Sequence, residues 1–200
     1  ALSKVILPEG LTTIEGYAFQ NCSSLQTIQL PSTIRVMTQA FAGCTGLVEI
    51  EIPEGVSILD NTFINCPNLS KVTLPSSLTT IGTQAFYRCS NLVSLHIPSG
   101  VTNIGSSAFR DCIALSNIVL PSGLTTLGDY VFQDCRALSK IVLPNKLTSV
   151  PNQAFVNCQS LADVTLPVGL KSIGVSAFYG CGSLNTIQLP QGLTSIGERA

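Results

Sequence analysis

The sequence has few charged residues. Lysine, arginine, aspartate and glutamate make up 10% of its 200 residues, and the formal net charge is −1. Nucleic-acid-binding proteins and peripheral membrane proteins carry a basic stripe, and these residues cannot build one. We therefore expect no nucleic-acid partner. The sequence also lacks a signal peptide and an apolar run of bilayer length, so we expect no membrane insertion by this segment.

Recognisable catalytic constellations are missing as well. His96 is the single histidine, and it lies between Leu95 and Ile97 in an alternating segment, so its side chain should point to solvent. A proton-transfer role needs a partner within hydrogen-bond reach, and the adjacent strands should offer only Thr73 and Val119. We find no Ser/His/Asp or Cys/His set, no glycine-rich phosphate loop and no meaningful pair of carboxylates. We predict that the protein is not an enzyme and needs no cofactor.

What the sequence does have is a repeat. Its eight phenylalanines are separated by 22, 22 and then always 23 residues, and each cysteine follows a phenylalanine by three residues. Nine of the eleven prolines occupy one position of the repeat, from Pro8 to Pro190. Self-similarity at this period is typical of a solenoid, in which each coil buries its apolar face only against its neighbours. The phenylalanines are Phe19, Phe41, Phe63, Phe86, Phe109, Phe132, Phe155 and Phe178.

The repeat Leu78–Gly100 shows where each coil should form its main strand. Leu95, His96 and Ile97 alternate with a period of two, which predicts a short strand over Val93–Ile97 with Leu95 and Ile97 inward. Pro98 lacks a backbone donor and should end the strand. Because a proline recurs at this position, the strand should stop at the same place in every coil.

The remainder of the repeat should form the outer side of the coil. Phe86, Cys89 and Leu92 recur every third residue, which predicts a tight helical or 3₁₀-like turn. Leu78–Ile81 should be a second extended piece, followed by a bend at Gly82. Since another repeat has a proline at the position of this glycine, the bend should not require a positive φ.

The eight cysteines occur in an even number, which would suit four disulfides in an extracellular protein. One cysteine per coil at a fixed phase should instead form an inward column, with the Cβ vectors parallel rather than facing one another. We predict buried free thiols that act as small apolar side chains. No second ligand type recurs beside them, so we predict no metal site.

The recurring pattern LxxIxLPxxLxxIgxxAFxxCxx, present for example from Leu69 to Asn91, resembles the BspA-like class of leucine-rich repeats, also called the Treponema pallidum type. The resemblance covers essentially all 200 residues. It implies a right-handed, curved solenoid whose LxxIxLP strands form a parallel sheet on the inner face. It also implies a non-enzymatic adhesion or recognition protein at the cell surface. Two repeats are one residue short and Thr62 replaces the usual alanine before Phe63, so we expect less regular coils near residues 34–62.

The unbroken period predicts one elongated domain, residues 1–200, without a linker. This domain would contain a partial repeat at 1–10, eight Phe/Cys repeats at 11–190 and a partial repeat at 191–200. Neither end shows a distinct polar cap, which solenoids normally need. We therefore expect the chain to be a piece of a longer array.

The outward strand positions vary in charge and size between repeats, whereas the apolar positions stay nearly constant. This pattern is typical of a scaffold whose exposed face is adjusted to a ligand, although drift on a solvated face would produce it too. We predict that a protein or glycan binds this face. The alternative is a structural spacer or a subunit that self-assembles end to end. The candidate ligand-binding residues are Glu49, Glu51, Lys71, Thr73, His96, Val119, Lys140 and Val142.

Two sequons begin at Asn21 and Asn68. Either asparagine would carry a glycan only in a protein that passes through a eukaryotic secretory route. Both lie at expected turns beside core positions, and chance occurrence is our expectation.

Overall fold

Short parallel strands run along the molecule in two sets. The structure is a computed structural model that describes residues 2–200. The LxxIxLP segments form three-residue strands, which are β1 (Glu49–Glu51), β3 (Lys71–Thr73), β5 (Ser94–His96), β7 (Asn117–Val119), β9 (Lys140–Val142) and β11 (Asp163–Thr165). The second extended pieces form two-residue strands, which are β2 (Ile58–Leu59), β4 (Thr80–Ile81), β6 (Asn103–Ile104), β8 (Thr126–Leu127), β10 (Ser149–Val150), β12 (Ser172–Ile173) and β13 (Ser195–Ile196).

The pairing of these strands is parallel throughout. The two-residue strands form sheets in the orders β2-β4-β6-β8 and β10-β12-β13, and the three-residue strands pair as β1-β3, β5-β7 and β9-β11. In β5, Leu95 is buried between two exposed residues, and Ile97 is buried directly after the strand. The predicted parallel-strand solenoid is therefore confirmed, and the alternation identifies the inward positions correctly.

The outer side of each coil consists of turns, and residues 2–200 contain no α- or 3₁₀-helix. The chain instead places one left-handed residue two positions before each phenylalanine and one two positions after it. Around Phe86 these are Gln84, with φ of 51°, and Arg88, with φ of 60°. A left-handed residue reverses the local direction of the backbone and cannot continue a right-handed helix. Phe86, Cys89 and Leu92 are all buried in the observed turns. A helical turn would also place residues at this three-residue spacing on one side, so the spacing does not distinguish the two conformations.

The bend after the second extended piece does not use a positive φ at Gly82, as predicted. Glycine serves there because neighbouring coils approach closely. A Cβ at Gly82 would lie 2.9 Å from the Asp60 Cα, and one at Gly128 would lie 2.2 Å from the Ser106 nitrogen. Since real Cβ atoms do not approach backbone this closely, these glycines allow the coils to stack.

The core contains a column of stacked phenylalanine rings. Consecutive ring centroids are 5.3 to 5.8 Å apart, and the rings are within 18° of parallel. The rings from Phe41 to Phe155 are fully buried, whereas Phe19 and Phe178 are half-buried. Such aromatic pairs contribute about 0.5–1.5 kcal/mol beyond the area they bury. Each interior coil is therefore stabilised from both sides.

The two short coils keep this column, and the second of them pairs with the next coil through full strands, β1 with β3 and β2 with β4, so the expected irregularity does not extend over these strands. Phe41 and Phe63 stack at 5.8 Å. The repeats that lead to these two rings are one residue shorter than the others, and the shortening lies in the bend before each ring. Thr62 is fully buried, and its hydroxyl donates to the Asp60 carbonyl at 3.3 Å, which satisfies the polar group. Before Glu49, the described residues pair only through single bridges.

Candidate binding face

The candidate site is the strand face, which we define as the outward-facing residues of β1, β3, β5, β7, β9 and β11. All eight candidate residues lie on it and are exposed. Because successive residues of a strand point to opposite sides, the inward residue between each outward pair, which is half-buried at Val72 and buried in the other strands, holds the strand to the core. Ile50 does so in β1 and Ile118 in β7. The backbone positions of the outward side chains are thus set by the core, and the side chains themselves remain free.

Charge is distributed unevenly along the strand face. At one end, Glu49 forms a 3.4 Å ion pair with Lys71 of the adjacent strand. Glu51 has no ion pair among residues 2–200. Toward the other end, Lys140 pairs with Asp163 at 2.6 Å. Exposed pairs of this kind contribute about 0–1 kcal/mol to stability, so their main effect is on the charge of the strand face.

The centre of the strand face is weakly polar. His96 lies directly opposite Val119 in the β5–β7 register. Its side chain makes no hydrogen bond or ion pair within the part of the chain that the structure describes. This arrangement provides no partner for acid–base chemistry, and it makes His96 an exposed surface residue of the strand face.

A groove runs along the strand face between β7 and β9 and reaches β11. Its volume is about 1120 Å³, and Val119 and Val142 form its apolar walls, with 71% and 50% of their surfaces exposed. β7 and β9 are neighbours that share no ladder hydrogen bonds, so the groove lies where the sheet is interrupted. We call this feature the strand groove. Its lining comprises Ser116, Asn117, Ile118, Val119, Leu120, Ser122, Ser139, Lys140, Val142, Leu143, Pro144, Asn145, Lys146, Thr165 and Leu166.

Sequence reasoning missed the part of the strand groove that the turns contribute. Ser122 follows Pro121, and Asn145 and Lys146 follow Pro144. The first position after each repeat proline varies between repeats, whereas the second is glycine in six of the nine repeats and lysine at Lys146. The departure of Lys146 from that glycine is the signal in the sequence that distinguishes this turn.

The cysteine column lies inside the molecule, away from the strand face. All eight cysteines are free thiols. From Cys44 to Cys181, each Sγ donates to the carbonyl of the phenylalanine in the preceding coil, at 3.0 to 3.2 Å. The thiols are therefore hydrogen-bond donors that link coils as well as apolar side chains, a role that sequence reasoning did not anticipate.

Burial also makes these thiols poor nucleophiles. It raises the pKa of Cys44 and of Cys181 to about 11 and that of Cys66 to about 12. The pKa of Cys135 is raised well above its usual range by the same cause. Because the thiolate is the reactive form, chemistry at this column is disfavoured near neutral pH. Among residues 2–200, no three His, Cys, Asp or Glu side chains are grouped so that they could hold a metal ion.

A second charged cluster lies on the outer turns. Asp111 is 3.6 Å from the Arg88 Nε and 3.9 Å from the Arg110 Nε. The Arg110 guanidinium lies between the rings of Tyr87 and Tyr130, 5.8 and 5.9 Å from their centroids. These contacts join side chains of consecutive coils, and the buried Arg110 Nε has no hydrogen-bond partner among residues 2–200. We therefore assign it to the packing of the outer turns.

One LxxIxLP strand per coil, parallel stacking and a continuous phenylalanine column define the class of leucine-rich-repeat solenoids. Within that class, the family model of the BspA type leucine rich repeat region matches residues 1–113 and 79–200, in 6 copies. The chain belongs to this family. Such repeat scaffolds typically mediate protein interactions or adhesion, and the family and its structural neighbours are non-enzymatic scaffolds.

Solved structures show the same architecture. A leucine-rich repeat protein of T. pallidum is 30% identical, with 80% of this chain and 78% of that chain covered and a TM-score of 0.74. A leucine rich cell surface protein of Faecalibacterium prausnitzii is 29% identical over 93% of this chain and 66% of that chain, with a TM-score of 0.55. A Bacteroides ovatus leucine-rich repeat protein is 25% identical over 98% of this chain and 75% of that chain, also at 0.55.

No functionally curated protein matches the sequence. The structure contains no helix that is long and apolar enough to cross a membrane within the described residues.

Proposed function

We propose that this chain is a non-catalytic recognition scaffold that binds a protein through its strand face. The observation that carries the proposal is the adjacent pair Val119 and Val142, which lie exposed on a face whose inward residues are buried. Contiguous apolar surface left to water is typical of a protein-interaction site. A glycan would gain little from these two side chains, because neither can form hydrogen bonds with its hydroxyl groups.

The architecture supports this proposal because the inward residues of the strands stabilise the fold, whereas the outward residues do not. The inward residues, such as Leu95 and Ile118, hold the coils together. Outward residues such as His96 have no role in the core, so their substitution changes stability little. A scaffold of this kind can acquire a ligand specificity without losing its fold.

We further propose that the strand face is presented outside a cell. The similar Faecalibacterium prausnitzii protein is described as a cell surface protein, and the family typically mediates interactions or adhesion. That the sequons at Asn21 and Asn68 occur by chance stays a prediction. The Asn68 amide nitrogen donates to the Thr45 carbonyl at 2.8 Å, a bond that a glycan would disturb.

A selection of displayed random peptides tests the strand-face proposal. Immobilised wild-type protein should retain peptides that a combined Lys71→Ala, His96→Ala and Lys140→Ala variant retains weakly. Arg88→Ala, on the outer turns, is the control and should behave as wild type. Equal retention by all three proteins would contradict binding at the strand face. Filament growth that depends on protein concentration, without peptide retention, would favour the structural-spacer alternative.

A further inference from the structure

Resting on the proposed function, we propose that the strand groove holds an extended peptide segment of a partner protein that carries apolar side chains together with acidic ones. The proposal combines the shape of the groove, its charge and its unoccupied hydrogen-bonding groups. It assigns the ligand to the part of the strand face formed by β7, β9 and β11.

The shape of the strand groove suits a linear segment. Its floor is apolar, formed by Ile118, Leu120 and Leu143, and its walls include Val119 and Val142. Three neighbouring strands span about 10 Å at ~4.8 Å per interval, which an extended peptide crosses with roughly three residues. Apolar side chains from such a segment would cover both valines. The apolar surface of the two valines is too small for a flat protein interface and matches the size of a short peptide.

The charge of the strand groove selects an acidic segment. Its lining contains two lysines and no aspartate or glutamate. Lys140 is already engaged by Asp163 at 2.6 Å, whereas Lys146 has no ion pair among residues 2–200. A carboxylate of the partner would therefore meet Lys146 at the rim. A basic segment would instead be drawn to Glu51, at the other end of the strand face.

Neutral polar side chains complete the strand groove. Asn117, Ser139 and Asn145 line it and make no side-chain hydrogen bond to other described residues. Asn117 is exposed on β7, Ser139 is exposed directly before β9, and Asn145 is exposed in the turn after Pro144. These groups can pair with the backbone N–H and C=O groups of an extended peptide, which would otherwise lose water without compensation.

The test is a selection of random peptides of about ten residues, several times the length that spans three strands, on the intact 200-residue chain. The peptides that are enriched should combine apolar residues with aspartate or glutamate. The most enriched peptide is then synthesised, and its affinity is measured by fluorescence anisotropy at two salt concentrations.

The variants separate the strand groove from the rest of the surface. Val119→Ser combined with Val142→Ser should weaken binding by about tenfold or more, because two apolar contacts are lost. Lys146→Glu should weaken it several-fold and reduce its salt dependence. Val168→Ser is the matched control, since Val168 is 82% exposed and lies outside the groove. Unfolding midpoints of all variants should match wild type.

Two outcomes would overturn the proposal, and they differ in what they mean for the proposed function. Enrichment of lysine- or arginine-rich peptides that are lost on Glu49→Gln and Glu51→Gln would overturn the groove assignment and leave strand-face recognition intact. Failure to enrich any peptide, or binding that no strand-face variant changes, would overturn both.

Discussion

At the scale of the residue, the left-handed positions of the outer turns are the least expected feature. Every phenylalanine is flanked by one such residue on each side, and most of these residues are not glycine. Gly43 and Gly180 show that glycine suits the position after the phenylalanine. A non-glycine residue in this conformation costs roughly 1–2 kcal/mol. The stacked coils therefore hold a strained backbone at the same two places in each repeat.

Substitution of Gln84 tests this strain. Gln84, with φ of 51°, makes no side-chain hydrogen bond among the described residues. Gln84→Gly should raise the free energy of unfolding by about 0.5–1 kcal/mol, because glycine adopts positive φ without steric cost. Gln84→Val should lower it by about 1–2 kcal/mol, since a β-branched residue tolerates this region poorly. Denaturant unfolding of the variants measures both changes.

Thr83 provides the control, because it precedes Gln84 and has no positive φ. Thr83→Gly should destabilise the protein by about 0.5–1 kcal/mol through the entropy of the unfolded chain. If glycine has the same effect at both positions, the left-handed assignment of Gln84 is wrong.

At the scale of the element, the phenylalanine column distinguishes interior coils from terminal ones. Phe109 stacks on Phe86 and Phe132, each at 5.5 Å, and is fully buried. Among residues 2–200, Phe178 stacks only on Phe155, at 5.3 Å, and is half-buried. Since the stability of a solenoid is a sum of local and nearest-neighbour terms, the same substitution should have unequal effects in the two coils.

Phe109→Ala should lower the free energy of unfolding by about 3–5 kcal/mol, as expected for a large-to-small substitution in a core. Phe178→Ala should cost less, because the terminal coil can open independently. His96→Ala, on the strand face, should stay within roughly 0.5 kcal/mol of wild type. Denaturant midpoints of the three variants measure the order. A Phe109→Ala variant as stable as His96→Ala would show that the inward phase of the coils is misassigned.

The close approach of adjacent bends gives a second prediction at this scale. A Cβ at Gly128 would meet the backbone of the preceding coil, 2.2 Å from the Ser106 nitrogen. Gly128→Ala should therefore lower the free energy of unfolding by about 1–3 kcal/mol, the usual cost of overpacking. Thermal unfolding of the variant measures the loss.

Gly169→Ala is the matched comparison. The nearest atom to a Cβ at Gly169 is the Asn145 carbonyl oxygen, 3.9 Å away. This substitution should be neutral or stabilising by up to about 1 kcal/mol, since alanine restricts the unfolded chain. Equal destabilisation at Gly128 and Gly169 would contradict the close stacking of the bends.

At the scale of the whole molecule, the thiol column couples stability to alkaline pH. Burial raises the pKa values of the cysteines from Cys44 to Cys181 above the value of about 8.5 for an unfolded thiol. Above pH ~8.5 the unfolded chain loses thiol protons that the folded chain retains. The stabilisation from burial of neutral thiols is therefore complete below that pH and is lost as the pH rises toward the folded pKa values.

The free energy of unfolding should therefore fall between pH ~8.5 and about 11, the pKa of Cys44 and Cys181. Each thiol contributes a slope of about −1.4 kcal/mol per pH unit in this window. Denaturant unfolding at several pH values measures the slope of the free energy of unfolding against pH. Cys66→Ala should make this slope less steep by the contribution of one thiol, about 1.4 kcal/mol per pH unit. A stability that does not change with pH over this window would contradict the buried column.

Protein denatured without reductant should titrate with eight free thiols.

The sequence alone determined the direction of most side chains. Leu95 and Ile97 face the core and His96 faces solvent because strand side chains alternate with a period of two. The phenylalanine column followed from the repeat length, since equal spacing places equivalent residues at the same phase of each coil. The parallel pairing of the strands also followed, because every coil carries the chain forward through the same strand in the same direction.

The tertiary structure alone decided the conformation of the outer turns and the location of the strand groove. A three-residue spacing of Phe86, Cys89 and Leu92 is compatible with either sign of φ, so the backbone at Gln84 and Arg88 depended on how the coils stack. The acceptors of the thiols were equally hidden, because each carbonyl belongs to another coil. Likewise Val119 and Val142 are 23 residues apart in the chain, and only the stacking of β7 beside β9 brings them together.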